Sequence, residues 1–151
     1  MTLHLHDVYS HCLEPTMPTS SLRQQILLVD DEEEALLELA ELLENEGFCC
    51  HTATSVRGAL QQLTRHPDVA LVITDLRMPE ESGLGLVQRL REHTARQHLP
   101  VIVMSGHADM DDVSDLLRLQ VLDLFRKPIY HARLLETLEN LFPKPLIQAV
   151  K

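Results

Sequence analysis

Four short stretches hold the residues with obvious chemical potential: Asp30-Asp31, Asp75, Ser105 and Lys127. Three carboxylates gathered in one crevice repel one another by a few kcal/mol per close pair when water is partly excluded. Either one of them keeps its proton, or a hard divalent cation sits among them. Magnesium suits such a place, because it takes one or two carboxylates, keeps some waters and leaves room for phosphate oxygens. Lys127, one of three lysines against ten arginines, supplies a compact positive charge for an anion. Ser105 adds a hydroxyl. A carboxylate nucleophile, a metal, a lysine and a hydroxyl make a phosphoryl-transfer set in which Asp75 attacks phosphorus and becomes an acyl phosphate.

Those residues converge only if the elements that carry them end on one edge, and the apolar pattern says that they do. Ile26–Val29 runs into Asp30-Asp31, Val69–Ile73 leads to Asp75, and Val101–Met104 leads to Ser105. Each run is apolar without alternation, as expected of a strand covered on both faces in a parallel sheet. Phe48–Thr52 and Leu122–Phe125 are the remaining strands, the latter running into Arg126-Lys127-Pro128. Between them, helical periodicity is expected over residues 32–46, 55–65, 84–92, 111–119 and 130–142, with Gly47 closing the first helix and Ser55 capping the second. In the first helix Leu36, Leu39, Ala40 and Leu43 form the inward stripe, while Glu38, Glu41, Glu44 and Glu46 read as a solvated face. Five strands alternating with five helices through right-handed crossovers give an α/β doubly wound, flavodoxin-like parallel sheet in the order 2-1-3-4-5. Its switch point lies between strands one and three, which places Asp30, Asp31 and Asp75 on either side of the ligand crevice.

Composition bounds the rest. The chain has 151 residues, one domain's worth, and a net charge of −10 that argues against general binding to nucleic acid or to a membrane surface. No apolar run approaches a membrane span, and the start lacks the pattern of a secretory signal, so a cytoplasmic protein is expected. Cys49 and Cys50 are adjacent on an expected strand, point to opposite faces and suit no ordinary bridge, which favours a reducing compartment. Residues 1–23 include Pro15 and Pro18 but no apolar period, and are expected to be a mobile leader before a domain at 24–143 and a linker or tail at 144–151. His4, His6, His11 and Cys12 match no closed zinc spacing and read as a histidine-rich tail.

Val29-Asp30-Asp31-Glu32, Asp75-Leu-Arg-Met78-Pro79 with Gly83, Ser105-Gly-His-Ala-Asp109 and Lys127-Pro128 together resemble the receiver domain of bacterial two-component response regulators. The resemblance covers about residues 24–143. It implies that Asp75 is the phosphoacceptor and that Asp30 and Asp31, with Asp75 and the backbone carbonyl at Arg77, hold Mg²⁺. It further implies that Ser105 and Lys127 engage the phosphoryl group and that the donor is a phosphohistidine on a sensor histidine kinase or a phosphotransfer protein. On this reading the chain is a signalling domain and not an enzyme acting on an external substrate.

Departures from the family pattern are visible too. The position three before the lysine, usually Tyr or Phe, is Leu124, with Phe125 after it. Arg77 is bulky enough to screen attacking water, and His107 reads as an exposed loop residue. Two alternatives remain open on the sequence. A phosphatase of the haloacid dehalogenase type also uses an Asp nucleophile with Mg²⁺, but looks for a second Asp two residues on, where this chain has Arg77. A pseudo-receiver would be expected to have lost an acid or the lysine, and neither is lost.

Overall fold

The computed structural model describes residues 23–143. Strands β1 (Gln25–Val29), β2 (Cys49–Ala53), β3 (Val69–Asp75), β4 (Val101–Ser105) and β5 (Asp123–Arg126) alternate with helices α1 (Glu33–Asn45), α2 (Val56–Arg65), α3 (Gly83–Glu92), α4 (Met110–Arg118) and α5 (His131–Leu141). The strands pair in parallel in the order β2-β1-β3-β4-β5, the topology expected from the unalternated apolar runs. The expected leader, apart from Arg23, the tail at 144–151 and the His4, His6, His11 and Cys12 group lie outside the described residues.

Period-two geometry explains why the runs show no alternation. In β1, Leu27 and Val29 point into one apolar layer and Ile26 and Leu28 into the other; Val72 and Leu71 divide in the same way in β3, and Val103 and Ile102 in β4. The first layer is closed by α2, α3 and α4 through residues such as Ala59, Leu63, Leu86, Leu90 and Leu116. The second is closed by α1 and α5 through Leu36, Ala40, Leu43, Leu134 and Leu138. Each fully buried Leu, Ile or Val contributes roughly 1.5–3 kcal/mol relative to exposure, so the central strands are fixed in depth and register. The described helices are all short, and none is long and apolar enough to cross a membrane.

Register is what carries the acids to the edge. The β1–β3 ladder starts with Gln25 beside Val69 and then skips Ala70, so that Ile26 faces Leu71 and Val29 faces Thr74. Asp30 and Asp75 consequently follow the paired residues Val29 and Thr74 on adjacent strands. Local signals set the helix ends: Ser55 accepts the Gly58 N–H at 3.0 Å, and Ser82 accepts the Gly85 N–H at 3.3 Å. Gly47 closes α1 with φ +98°, the left-handed position that glycine occupies without strain.

One expectation about α1 needs correcting. Glu44 is not a solvated-face residue, because its carboxylate accepts the Cys50 N–H at 2.9 Å. The edge strand β2 lacks a neighbour on one side, and this helix side chain meets one of its backbone donors.

Candidate functional site

The crevice at the carboxyl ends of β1 and β3 gathers the acids first. Asp30, Asp31 and Asp75 each present a carboxylate oxygen such that all lie within 4.8 Å of one another; Asp30 and Asp75 are buried and Asp31 is exposed. Asp30 is held in place by its own loop, since its Oδ1 accepts the Glu32 N–H at 3.0 Å and its backbone N–H donates to Ala53 at 3.1 Å. One oxygen of Asp30 thus serves the turn into α1, and its second oxygen is turned the other way.

That second oxygen meets Lys127. The Nζ of Lys127 donates to Asp30 Oδ2 at 2.9 Å and lies 3.2 Å from Asp75 Oδ1, so one cation bridges the acids of two strands from a third. The Lys127 N–H donates to the Ser105 carbonyl at 2.9 Å, which locks the tip of β5 to the tip of β4, and the Lys127–Pro128 peptide is cis. Ser105 is buried, and its Oγ accepts the His107 N–H at 3.0 Å. The hydroxyl proton of Ser105 remains free to be donated elsewhere. Leu76, directly after Asp75, donates its N–H to Met104 at 2.8 Å and accepts the Gly83 N–H at 2.8 Å.

The electrostatics follow from this geometry. Burial raises the Asp75 pKa above the ordinary carboxyl value, the Asp30 and Asp31 charges push it further up, and Lys127 opposes them without cancelling them. Burial acts to lower the Lys127 pKa, but its hydrogen bonds and charge interactions with Asp30 and Asp75 prevail and raise it. The lysine is therefore held as a cation, while the three acids crowd together with more negative charge than one lysine neutralises. A donor set made only of carboxylate oxygens, close together and partly open to solvent, fits a hard divalent cation.

Of the residues singled out from the sequence, Asp30, Asp31, Asp75 and Lys127 come together, and Ser105 lies at the adjacent strand tip. The Arg77 side chain does not join them: it is exposed and pairs with Asp112 at the start of α4. His107 is exposed, as expected. Gly83 does more than open α3, because a Cβ there would stand 2.2 Å from the Asp75 carbonyl oxygen. The sequence signal for that role was the glycine itself, eight residues beyond the acid, in a position also compatible with a simple helix start.

The sequence profile of the response regulator receiver domain matches residues 26–139. The chain belongs to that family. It is 33% identical over 117 residues to the two-component response regulator PprB of Pseudomonas aeruginosa, covering 77% of this chain and 42% of that protein. It is 32% identical over 115 residues to the transcriptional regulatory protein FixJ of Rhizobium meliloti, covering 75% of this chain and 54% of that one. The chain thus spans about half, or less, of the length of these relatives. Among solved structures, a response regulator receiver protein from Pseudomonas putida superposes with a TM-score of 0.76 at 34% identity, covering 78% of this chain and 97% of that one. The chemotaxis protein CheY4 of Vibrio cholerae superposes with a TM-score of 0.74 at 21% identity, over 80% of this chain and 99% of that one, and shares the receiver fold.

Proposed function

We propose that this receiver domain accepts a phosphoryl group onto Asp75 from a phosphohistidine, in a Mg²⁺-dependent phosphorelay. The observation that carries the reading is the cluster of Asp30, Asp31 and Asp75 within 4.8 Å, bridged by Lys127 at 2.9 and 3.2 Å. Asp30, Asp31 and Asp75, with the backbone carbonyl of Arg77, are the residues that would hold Mg²⁺, and the ion when bound neutralises oxygens of the incoming phosphoryl group. Asp75 attacks phosphorus with one carboxylate oxygen, and the bond to the donor histidine nitrogen breaks with its electrons leaving on nitrogen. Lys127 holds one phosphoryl oxygen by charge, and the Ser105 hydroxyl donates to another. The partner is a sensor histidine kinase or a histidine phosphotransfer protein.

The same reading assigns residues 24–143 to the receiver unit, flanked by a leader and a tail, and places the protein in the cytoplasm. Cys49 and Cys50 are buried neighbours on β2 whose side chains point to opposite faces of the sheet, an arrangement that suits no ordinary bridge and supports a reducing compartment. The chemistry the domain performs is confined to its own phosphorylation and dephosphorylation. The test is incubation with Mg²⁺ and a small phosphodonor such as acetyl phosphate, followed by intact mass. The expected result is a stable gain of one phosphoryl group in the wild type and none in Asp75→Asn. Continuous turnover of a phosphate ester without mass gain would favour a phosphatase, and neither mass gain nor turnover would favour a pseudo-receiver.

A further inference from the structure

We infer that Arg77 reads the phosphorylation state of Asp75 and passes it to helix α4, by exchanging its partner Asp112 for the phosphoryl oxygens. The inference rests on the phosphoacceptor reading and deepens it. Arg77 stands two residues beyond Asp75, at most about 7 Å along the chain, and its guanidinium hydrogen-bonds Oδ2 of Asp112. Asp112 is the third residue of α4 and half of its capping box. The same Oδ2 accepts the Asp109 N–H at 3.2 Å, while Asp109 Oδ1 accepts the Asp112 N–H at 2.8 Å. One carboxylate oxygen therefore ties the loop that follows the phosphoacceptor to the N-terminal cap of a helix.

That helix is lightly anchored. Leu116 is its one buried residue, and Met110 and Leu117 are 78% and 70% exposed, so local capping decides much of where its first turn sits. The Arg77–Asp112 pair is suited to being broken. The Arg77 side chain is 58% exposed and that of Asp112 15%, so water and salt reach the pair from the arginine side and weaken it. A phosphoryl group on Asp75 brings up to two negative charges and can take two parallel N–H bonds from a guanidinium, which makes it the stronger partner. Once Arg77 leaves, the Asp112 carboxylate stands beside Asp109 and Asp111 without its cation, and like charges crowd the first turn of α4. Leu124, by contrast, is an aliphatic residue packed against the α2–α3–α4 layer and has no polar atom with which to sense the phosphoryl group.

The experiment uses the full chain with Mg²⁺ and beryllium fluoride, a phosphoryl mimic, and reads both binding affinity and amide hydrogen exchange. In the wild type, exchange at Asp109 and Asp112 is expected to rise at least about threefold on binding the mimic, as a loosened cap opens more often. Asp112→Asn removes the pair that must be given up, so the mimic should bind tighter by about 1.4-fold to fivefold, the range that an exposed ion pair supplies. Removing a negative charge raises anion affinity by itself, so the same substitution is also made in the Arg77→Ala background. There the gain should shrink toward that bare charge contribution. An equal gain in both backgrounds, or unchanged α4 exchange while signals around Asp75 and Lys127 respond to the mimic, would overturn the proposal. If Arg77→Ala itself fails to bind the mimic, the wild-type exchange measurement decides alone. A wild type that does not bind the mimic at all would overturn the phosphoacceptor reading, and this inference with it.

Discussion

The Nζ of Lys127 lies 3.2 Å from Oδ1 of Asp75, at the tips of two strands that β4 separates. The contact is both structural and chemical. Without phosphate the lysine offsets the repulsion of the acids, and the same ammonium stands where a phosphoryl oxygen on Asp75 would need it.

Removing that ammonium should therefore cost stability as well as activity. Lys127→Ala leaves buried Asp30 and Asp75 facing each other uncompensated. With the lysine side chain 27% exposed, the expected loss is about 1–3 kcal/mol, below that for a fully buried pair. Urea unfolding in EDTA measures it, and Asp75→Asn added to Lys127→Ala should recover part of the loss. If Lys127→Ala unfolds at the wild-type midpoint, the lysine is not compensating the acids.

The raised pKa of Asp75 sets a pH dependence of stability with a definite sign. The folded chain holds this proton more tightly than the unfolded chain does, so the contribution of the group is fully present below the ordinary aspartate pKa. It is lost as pH rises through the higher folded value. In EDTA, wild-type stability relative to Asp75→Asn should fall across that window, because the amide has no proton to lose. Adding Mg²⁺ should reverse the trend by favouring the ionised carboxylate. A difference between the two proteins that stays flat with pH in EDTA would count against the crowded-acid account.

How far the sequence announced these features depends on the kind of interaction. The sheet was legible because Ile26–Val29, Val69–Ile73 and Val101–Met104 are apolar at every position, which only strands covered on both faces require. Asp30 and Asp75 were legible because each stands at the end of such a run, and Lys127 because it follows the last strand at the same edge. Side chains that turn back along the surface were not. Arg77 reaching Asp112, Glu44 reaching the Cys50 N–H, and His51 stacking on His66 at 3.7 Å between ring centroids depend on rotamers and on how one element packs against another. Nothing in local periodicity encodes them. His51 also bonds Gln25 at 2.9 Å, and burial holds its pKa below the usual histidine value, an environment that neither residue type predicts.

Leu124 and Phe125 illustrate a case where the strand rule was sufficient. Leu124 pairs with Val103 and packs in the α2–α3–α4 layer; Phe125 pairs with Met104 in the opposite layer, where the Arg133 guanidinium lies 5.3 Å from its ring centre. The two cannot exchange roles without a change of register. Methyl NMR of the chain with and without beryllium fluoride should show little change at Leu124 and larger changes in the loop from Ser105 to Asp112. A large rotamer change at Leu124 with a quiet loop would contradict that expectation.

Gly83 gives the most demanding test of how the site is held. The first residue of α3 packs its Cα against the last turn of backbone in β3, with the Gly83 N–H bonded to the Leu76 carbonyl at 2.8 Å. A methyl at this position would lie 2.2 Å from the Asp75 carbonyl oxygen and 3.2 Å from the Leu76 Cα, both rigid backbone atoms. Neither can rotate away, so either α3 retreats from the sheet or the end of β3 shifts. Overpacking against rigid atoms costs about 1–3 kcal/mol or more, and the shift falls on the residue that must align with Asp30 and Lys127. Gly83→Ala should therefore lower the urea midpoint and slow phosphorylation by acetyl phosphate by more than its stability loss explains, measured under conditions where the variant is fully folded. Gly85→Ala is the control, because there the nearest atom, at 2.7 Å, is the end of the flexible Glu81 side chain, which can move. Equal phosphorylation rates in the two variants would show that the Asp75 backbone does not depend on the close approach of α3.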